Sequence, residues 1–307
     1  MGNNIKKYYT IDEAFAYCAS ITETHYENFP VASIFLPNEK RPYIQALYAY
    51  SRIADDYADE LKRPAKDRLA DLTEWENNLR QCYEGRSEHP VFIALQETVK
   101  RYDIPIDPLL DLVSAFKRDV TQNRYETFTD LLDYCRCSAN PVGRLVLMIF
   151  NYRDNNLFSY SDSICTALQL TNFWQDISVD RQKDRLYIPL EDMQRFGYTV
   201  EDWQNCVMND NFTEMIKFEV ERTRQIFYQG AQLPSLVAKD LQLELKMIWL
   251  GGMEILLKIL KKKCNIINER PKLSNISKLK ILILSLFVKD LIYYRKKKPK
   301  KNPWDLT

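Results

Sequence analysis

Apolar residues recur along this chain at intervals of three and four, with polar positions falling on the opposite face, which is the period of an amphipathic helix. The pattern is readable over about residues 42–61, 67–83, 89–101, 107–118, 129–152, 160–181, 212–230, 235–262 and 276–294. Alternation with a period of two, the mark of a half-buried strand, competes in none of them. Breaks fall at Arg63-Pro64, Glu84-Gly85-Arg86-Ser87, Ile104-Pro105, Arg153-Asp154-Asn155-Asn156 and Phe196-Gly197-Tyr198, where Pro, Gly and small polar residues favour turns. No solenoid-length repeat and no low-complexity linker interrupts the series. An all-α protein is expected.

Two of these helical segments carry paired aspartates at a spacing of four: Asp55 with Asp59, and Asp176 with Asp180. Residues i and i+4 share a helix face, so each pair directs two carboxylates to one place. Crowded carboxylates repel, and a cation is needed to hold both ionised. Around the first pair, one stripe carries Tyr48, Arg52, Asp55 and Asp59; around the second, Gln169, Asn172, Asp176 and Asp180 follow at steps of three, four and four. Arg185, Tyr187 and Pro189 come next, the proline marking a helix end or kink. An isolated Asp pair is most often a solvated face that binds nothing. Two pairs in apolar-flanked helices, each within a polar stripe, favour magnesium with a phosphorylated ligand, because magnesium takes a few protein carboxylates and completes its shell with water and phosphate oxygens.

The 307 residues suffice for a large core, and 46% apolar residues with 7 Gly and 13 Pro suit helices better than a turn-rich sheet. Seven cysteines, none in a CxxC pair, argue against a disulfide framework and for reduced thiols. His25 and His89 are too few for a histidine-rich zinc site. The N-terminus has no secretory signal pattern, so a cytoplasmic location is expected.

Net charge is +1 overall but unevenly distributed, with 11 Lys or Arg against 3 Asp or Glu from Asn268 to Thr307. There the apolar run Ile281–Val288 is interrupted by Lys289 and Asp290, then followed by Leu291–Tyr294 and the basic cluster Arg295–Lys301. It is too short and too charged to span a bilayer. A packing helix with a solvated basic end and a peripheral membrane contact are both open readings. Nucleic-acid binding is disfavoured, since no reading module accompanies the terminal cluster.

Tyr48–Glu60, Gln169–Asp180 with Arg185 and Tyr187, and Tyr134-Cys135 leading to Val142-Gly143 resemble the squalene and phytoene synthase family of head-to-head prenyl transferases over about residues 14–270. The resemblance implies an all-α isoprenoid synthase fold, a single-domain helical cup over 1–270, with 271–307 as a C-terminal apolar helix and basic tail packed on it. It implies that Asp55, Asp59, Asn172, Asp176 and Asp180 form the magnesium and diphosphate site. Arg52 and Arg185 would contact diphosphate, while Tyr48, Tyr134, Gln169 and Tyr187 would line the cavity.

Within the family, His25-Tyr-Glu-Asn-Phe-Pro-Val31, Ala54–Glu60 and Leu170–Asp176 look like the hydroxysqualene synthases of bacterial hopanoid pathways. By that resemblance His25 and Phe29 join the substrate-binding set. Other branches usually place Ser or Lys where Tyr26-Glu27-Asn28 stands, and Arg and Glu where Gln175 and Val179 stand. A carboxylate at Glu27 would repel a second diphosphate. The implied reaction is ionisation of presqualene diphosphate and capture of the rearranged cation by water, with Glu27 or Tyr187 orienting the water; Glu27 paired with a neighbouring cation is an equal reading. Phe29, Phe173 or Trp174 would shield the cation, though helix-spaced aromatics are ordinarily core.

No NADPH is expected for this reaction, and the functional partners implied are a presqualene diphosphate synthase and a squalene-forming reductase, at the inner face of the bacterial plasma membrane. The alternatives are presqualene diphosphate, phytoene or squalene synthase, and a non-catalytic membrane-associated assembly factor.

Overall fold

A computed structural model describes residues 9–24, 36–60, 62–262, 264–288 and 290–291. Their regular secondary structure is helical, with no strand among them. His25, Glu27 and Phe29, and the basic cluster Arg295–Lys301, lie outside the described residues. Two compact units occur, one within Met1–Thr121 and Arg144–Arg153, the other within Gln122–Gly143 and Asp154–Thr307.

The first unit contains α1 (Ile11–Thr24), α2 (Arg41–Asp59), α3 (Ala65–Tyr83), α4 (Pro90–Tyr102) and α5 (Asp107–Thr121). Helix α1 packs on α2 and α4 and had no counterpart in the periodicity reading. Its buried residues include Ala14 and Cys18, which are too small to make an apolar stripe stand out. Helix α2 starts with a proline in its first turn, where the missing N–H has no helical partner to lose. Its buried face includes Ile44, Leu47, Tyr50, Ala54 and Ala58, and the alanines permit close approach by neighbouring helices.

Behind that face Tyr50 stacks on Trp75 at 5.9 Å, Trp75 meets Phe92 at 4.5 Å, and the Tyr50 hydroxyl donates to the Leu109 carbonyl at 3.0 Å. Each such aromatic pair contributes about 1 kcal/mol beyond its burial. His89, whose pKa burial lowers, accepts from the Val91 N–H at 3.3 Å and so caps α4.

In the second unit are α6 (Phe128–Ser138), α8 (Asn155–Gln175), α9 (Ile177–Asp180), α10 (Leu190–Arg195), α11 (Val200–Gln204), α12 (Asp210–Gln229), α13 (Leu233–Leu236), α14 (Lys239–Lys261) and α15 (Asn275–Phe287). Helix α7 (Asn140–Ile149) is divided between the two units. Three expected helices are thus interrupted. The span 129–152 breaks at Ala139, because Pro141 lacks an N–H and its ring excludes a helical turn before it. The span 235–262 breaks where Val237 and Ala238 are extended. The span 160–181 breaks at Asp176, whose ψ is 10°. Helix α8 also begins earlier than expected, capped by Asp154, which accepts from the N–H groups of Asn156 and Leu157 at 2.8 and 3.1 Å.

Helix α8 packs against α6, α12 and α14. Trp174, fully buried, donates through Nε1 to Thr223 Oγ1 at 2.8 Å, and Thr223 donates on to the Glu219 carbonyl at 2.8 Å. At the end of α12 a Cβ on Gly230 would lie 2.5 Å from the Tyr160 carbonyl oxygen, so only glycine permits this approach to α8. Immediately before Thr223, the Arg222 guanidinium binds Asp192 of α10 at 2.6 Å and both oxygens of Glu219 at 2.7 and 2.8 Å, lying 3.4 Å from the centre of the Phe128 ring.

Two buried carboxyls share one guanidinium here. Burial pushes the Glu219 carboxyl up to about 8, Arg222 opposing that rise and Asp192 adding to it. From the ordinary 4.5 to about 8 the folded protein keeps a proton that the unfolded chain releases, so stability falls as pH rises through that window. The loss is on the order of a few kcal/mol. Thermal denaturation across pH 5 to 8 should show it, and Glu219→Gln, which keeps the neutral form, should flatten it. An unchanged slope in that variant would assign the dependence to other groups.

Candidate active site

The first acidic stripe occupies the C-terminal half of α2. Tyr48, Arg52, Asp55 and Asp59 are all half-buried, opposite a face committed to packing. Arg68 of α3 donates to the Ala58 carbonyl at 2.6 Å, satisfying one of the last carbonyls of α2 next to Asp59. Arg52 meets Asp55 at 3.4 Å and the exposed Asp56 at 2.5 Å. Asp56 was absent from the sequence-based stripe, although its i+4 spacing from Arg52 carried the signal. Burial acts against the Arg52 charge, but Asp55 and Asp56 outweigh it and move its pKa up. Its Nε is buried and has no hydrogen-bond partner among the described residues, leaving a donor for an acceptor oxygen.

The second stripe runs from α8 into α9. Despite the break at Asp176, the Asp176 N–H donates to the Asn172 carbonyl and the Asp180 N–H to the Asp176 carbonyl, both at 2.8 Å. These bonds keep the helical step, so Asn172, Asp176 and Asp180 stay in register, with Gln169 one step earlier on α8. All four are half-buried. The Asp176 carboxylate is held by both arms of Arg270: Nε donates to Oδ1, and Nη2 donates to Oδ2 at 3.0 Å. Beside it Gln175 donates to the Pro271 carbonyl at 2.6 Å. Sequence reasoning missed Arg270, which lies 94 residues away along the chain.

The segment after α9 is shaped by Asp184, which adopts a left-handed conformation with φ of 54°. Arg124 donates to the Asp184 carboxylate and carbonyl, each at 2.5 Å, and the Leu186 N–H donates to the Asn123 carbonyl at 3.0 Å. Arg185 and Tyr187 are thereby fixed next to the second stripe. Tyr187 stacks on Phe173 at 3.8 Å with a 10° interplanar angle, 5.8 Å from Tyr125 and 6.1 Å from Tyr134. Tyr134 and Tyr187 therefore come together, and Tyr125, which the sequence reading did not single out, joins them. Phe173, Ile177, Asp180, Arg185, Tyr187 and Trp203 line a small pocket.

Among the described residues, no three His, Cys, Asp or Glu side chains converge on a metal-sized point. The cysteines are all free, and burial pushes the thiols of Cys18 and Cys165 up to about 12 and those of Cys82 and Cys264 to about 11, leaving them protonated and unreactive.

Residues 22–277 match the squalene/phytoene synthase family. The hydroxysqualene synthase of Zymomonas mobilis subsp. mobilis is 45% identical over 179 residues, 57% of this chain and 59% of that protein, so the alignment spans less than two thirds of that relative. The 15-cis-phytoene synthase of Synechococcus elongatus is 30% identical over 72% of this chain and 75% of its own length. A crystal structure of squalene synthase HpnC from Alicyclobacillus acidocaldarius superposes with a TM-score of 0.79 at 40% identity, covering 83% of this chain and 96% of that one.

Removing the two-pronged partner of a site carboxylate should disorder it. Arg270→Ala is expected to lower turnover of a prenyl diphosphate by about 10- to 100-fold, with the melting temperature little changed. Arg270→Lys should recover only part of the loss, because an ammonium cannot reproduce the fork. Steady-state release of diphosphate measures both. Full activity in Arg270→Ala would reduce the pair to surface structure.

Proposed function

We propose that this chain, which belongs to the squalene/phytoene synthase family and has its all-α isoprenoid synthase fold, is a hydroxysqualene synthase, a carbon–oxygen lyase converting presqualene diphosphate and water to hydroxysqualene and diphosphate. The observation that carries the reading is the chemistry at Gln175 and Val179. Gln175 is neutral and spent on the Pro271 carbonyl, and Val179 is an exposed apolar side chain. Neither supplies charge for a second diphosphate, as the Arg and Glu usual at these positions in condensing branches would. The 45% identity to the Zymomonas hydroxysqualene synthase supports the same choice.

Each acidic stripe taken by itself carries oxygen donors of the kind magnesium takes: Asp55 and Asp59 on α2, and Asn172, Asp176 and Asp180 on the register of α8 and α9; the partnerless Arg52 Nε suits a phosphate oxygen beside the first pair. When bound, the metal supplies positive charge to the departing diphosphate. Arg52 and Arg185 bind and orient its oxygens as fixed charges aimed at developing negative charge. Arg270 sets the direction of both Asp176 oxygens through its two hydrogen bonds.

Heterolysis of the C–O bond leaves the electron pair on diphosphate and a cyclopropylcarbinyl cation on the C30 skeleton. Phe173, Tyr187, Tyr134 and Tyr125 form an aromatic wall that excludes bulk water, and ring faces favour a nearby cation. One water oxygen then bonds to the rearranged cation and gives up a proton. Tyr187 or Glu27 would orient that water. No nicotinamide enters, because no hydride is transferred. A second reading, reduction onward to squalene with a nicotinamide as hydride donor, draws on the Alicyclobacillus neighbour, a squalene synthase.

Purified protein with presqualene diphosphate and magnesium is expected to yield hydroxysqualene without NADPH, read by chromatography of the lipid extract. Squalene formed only with NADPH, and no alcohol, would favour the second reading. Consumption of farnesyl diphosphate alone would place the chain among condensing enzymes. Asp55→Ala and Asp176→Ala should each lower turnover by roughly a hundredfold or more while preserving helical content. If either keeps near-normal rates at low magnesium, that stripe does not hold the metal.

A further inference from the structure

Helix α15 has two opposite faces. Ser277, Ile281 and Ser285, four residues apart, are buried, and α15 packs on α14, where Lys280 reaches Glu254 at 3.4 Å. On the other side Ile276, Leu279, Ile283, Leu286 and Phe287 recur at steps of three, four, three and one, and are 82, 58, 46, 60 and 79% exposed. They are five of the eleven large apolar side chains exposed among the described residues, so this helix concentrates what is scattered elsewhere. An apolar stripe this continuous marks a surface that is covered by something.

The charge around the stripe selects the cover. Lys272, Lys278 and Lys280 are exposed in and beside α15, and from Arg270 to Lys301 the sequence carries 11 basic residues against one acidic residue, Asp290. A second copy of the chain would bring two such basic surfaces together, which like charge opposes. The chain's own terminal cluster, Arg295–Lys301, offers six cations and almost no apolar area. An anionic lipid surface satisfies both features, taking apolar side chains below the headgroups and cations among them. No described helix is long and apolar enough to cross a membrane, so the helix would lie in the plane of the surface.

We propose that α15 is an in-plane docking helix whose Ile276, Leu279, Ile283, Leu286 and Phe287 face enters the headgroup boundary of an anionic bilayer. The proposal rests on this face and not on which prenyl diphosphate is turned over. Either can fail without the other.

The test uses the full chain and sedimentation with phosphatidylcholine vesicles, with and without roughly 30% phosphatidylglycerol. The intact protein should partition at least about tenfold more strongly onto the anionic vesicles, with high salt weakening the association. The double variant Leu279→Glu/Ile283→Glu should lose about tenfold or more at an unchanged melting temperature, whereas Leu279→Phe/Ile283→Phe should retain binding. Equal sedimentation of the Glu variant and the intact chain would overturn the proposal, as would absence of binding by the intact chain. So would a dimer in solution that the Glu substitutions dissociate without affecting vesicle binding. Vesicle binding that emerges only after deletion of residues 295–307 would assign the face to the chain's own tail.

Discussion

Carboxylates crowded on one helical face repel each other, and the architecture around both acidic stripes follows from having to hold them in place. Each stripe is answered by a guanidinium: Arg52 reaches Asp55 and Asp56 from within α2, and Arg270 grips Asp176 from a distant segment. The Arg52 pairs lie within a single helix and are partly open to solvent, where such pairs contribute about 0–1 kcal/mol, so they do not hold the helices together. That work falls to the opposite faces. The buried Tyr50 reaches the Leu109 carbonyl behind α2, and the buried Trp174 reaches Thr223 behind the end of α8. A rigid back lets the front keep charges close together without the helix yielding to their repulsion.

The same division explains what could be read from the amino-acid order. Stripes that depend on helical steps were legible because they are local: Tyr48, Arg52, Asp55 and Asp59 do share α2, and Asn172, Asp176 and Asp180 keep their register through backbone bonds even where α8 ends. Helix ends set by one residue's backbone were less legible. Asp176 departs from helical geometry without a Gly or Pro to announce it, and Pro141 cuts a pattern whose apolar period runs straight through. Helix α1 was missed because small buried residues such as Ala14 and Cys18 give periodicity little contrast. Arg270 and Tyr125 were invisible for a different reason: their roles arise only when distant segments pack together.

The two positions on which the proposed choice of reaction rests, Gln175 and Val179, sit beside the second stripe and not in it. Gln175 neighbours Asp176, and its amide is bound to the Pro271 carbonyl, so this position contributes a tether to the segment carrying Arg270. A neutral side chain here thus does two things. It adds no positive charge beside Asp176, and it gives a second point of attachment beside the Arg270 fork. In the proposed reaction, a substrate bringing one diphosphate would need no further cation at this position.

That attachment also has a consequence along the chain. Arg270 and Pro271 bind Asp176 and Gln175, and only three residues later Ser274 caps α15 by accepting the Ser277 N–H at 3.2 Å. The segment between is too short to act as a slack linker; at roughly 3.3 Å per extended residue, three residues reach only about 10 Å. Helix α15 is therefore anchored at its start to the second acidic stripe and along its length to α14, through the Ser277 and Lys280 contacts with Glu254. Its exposed apolar face is held at a fixed place relative to Asp176. The C30 substrate and product of the proposed reaction would partition into lipid, so a surface helix tied this tightly to the second stripe fixes where along the protein surface a lipid phase would meet it.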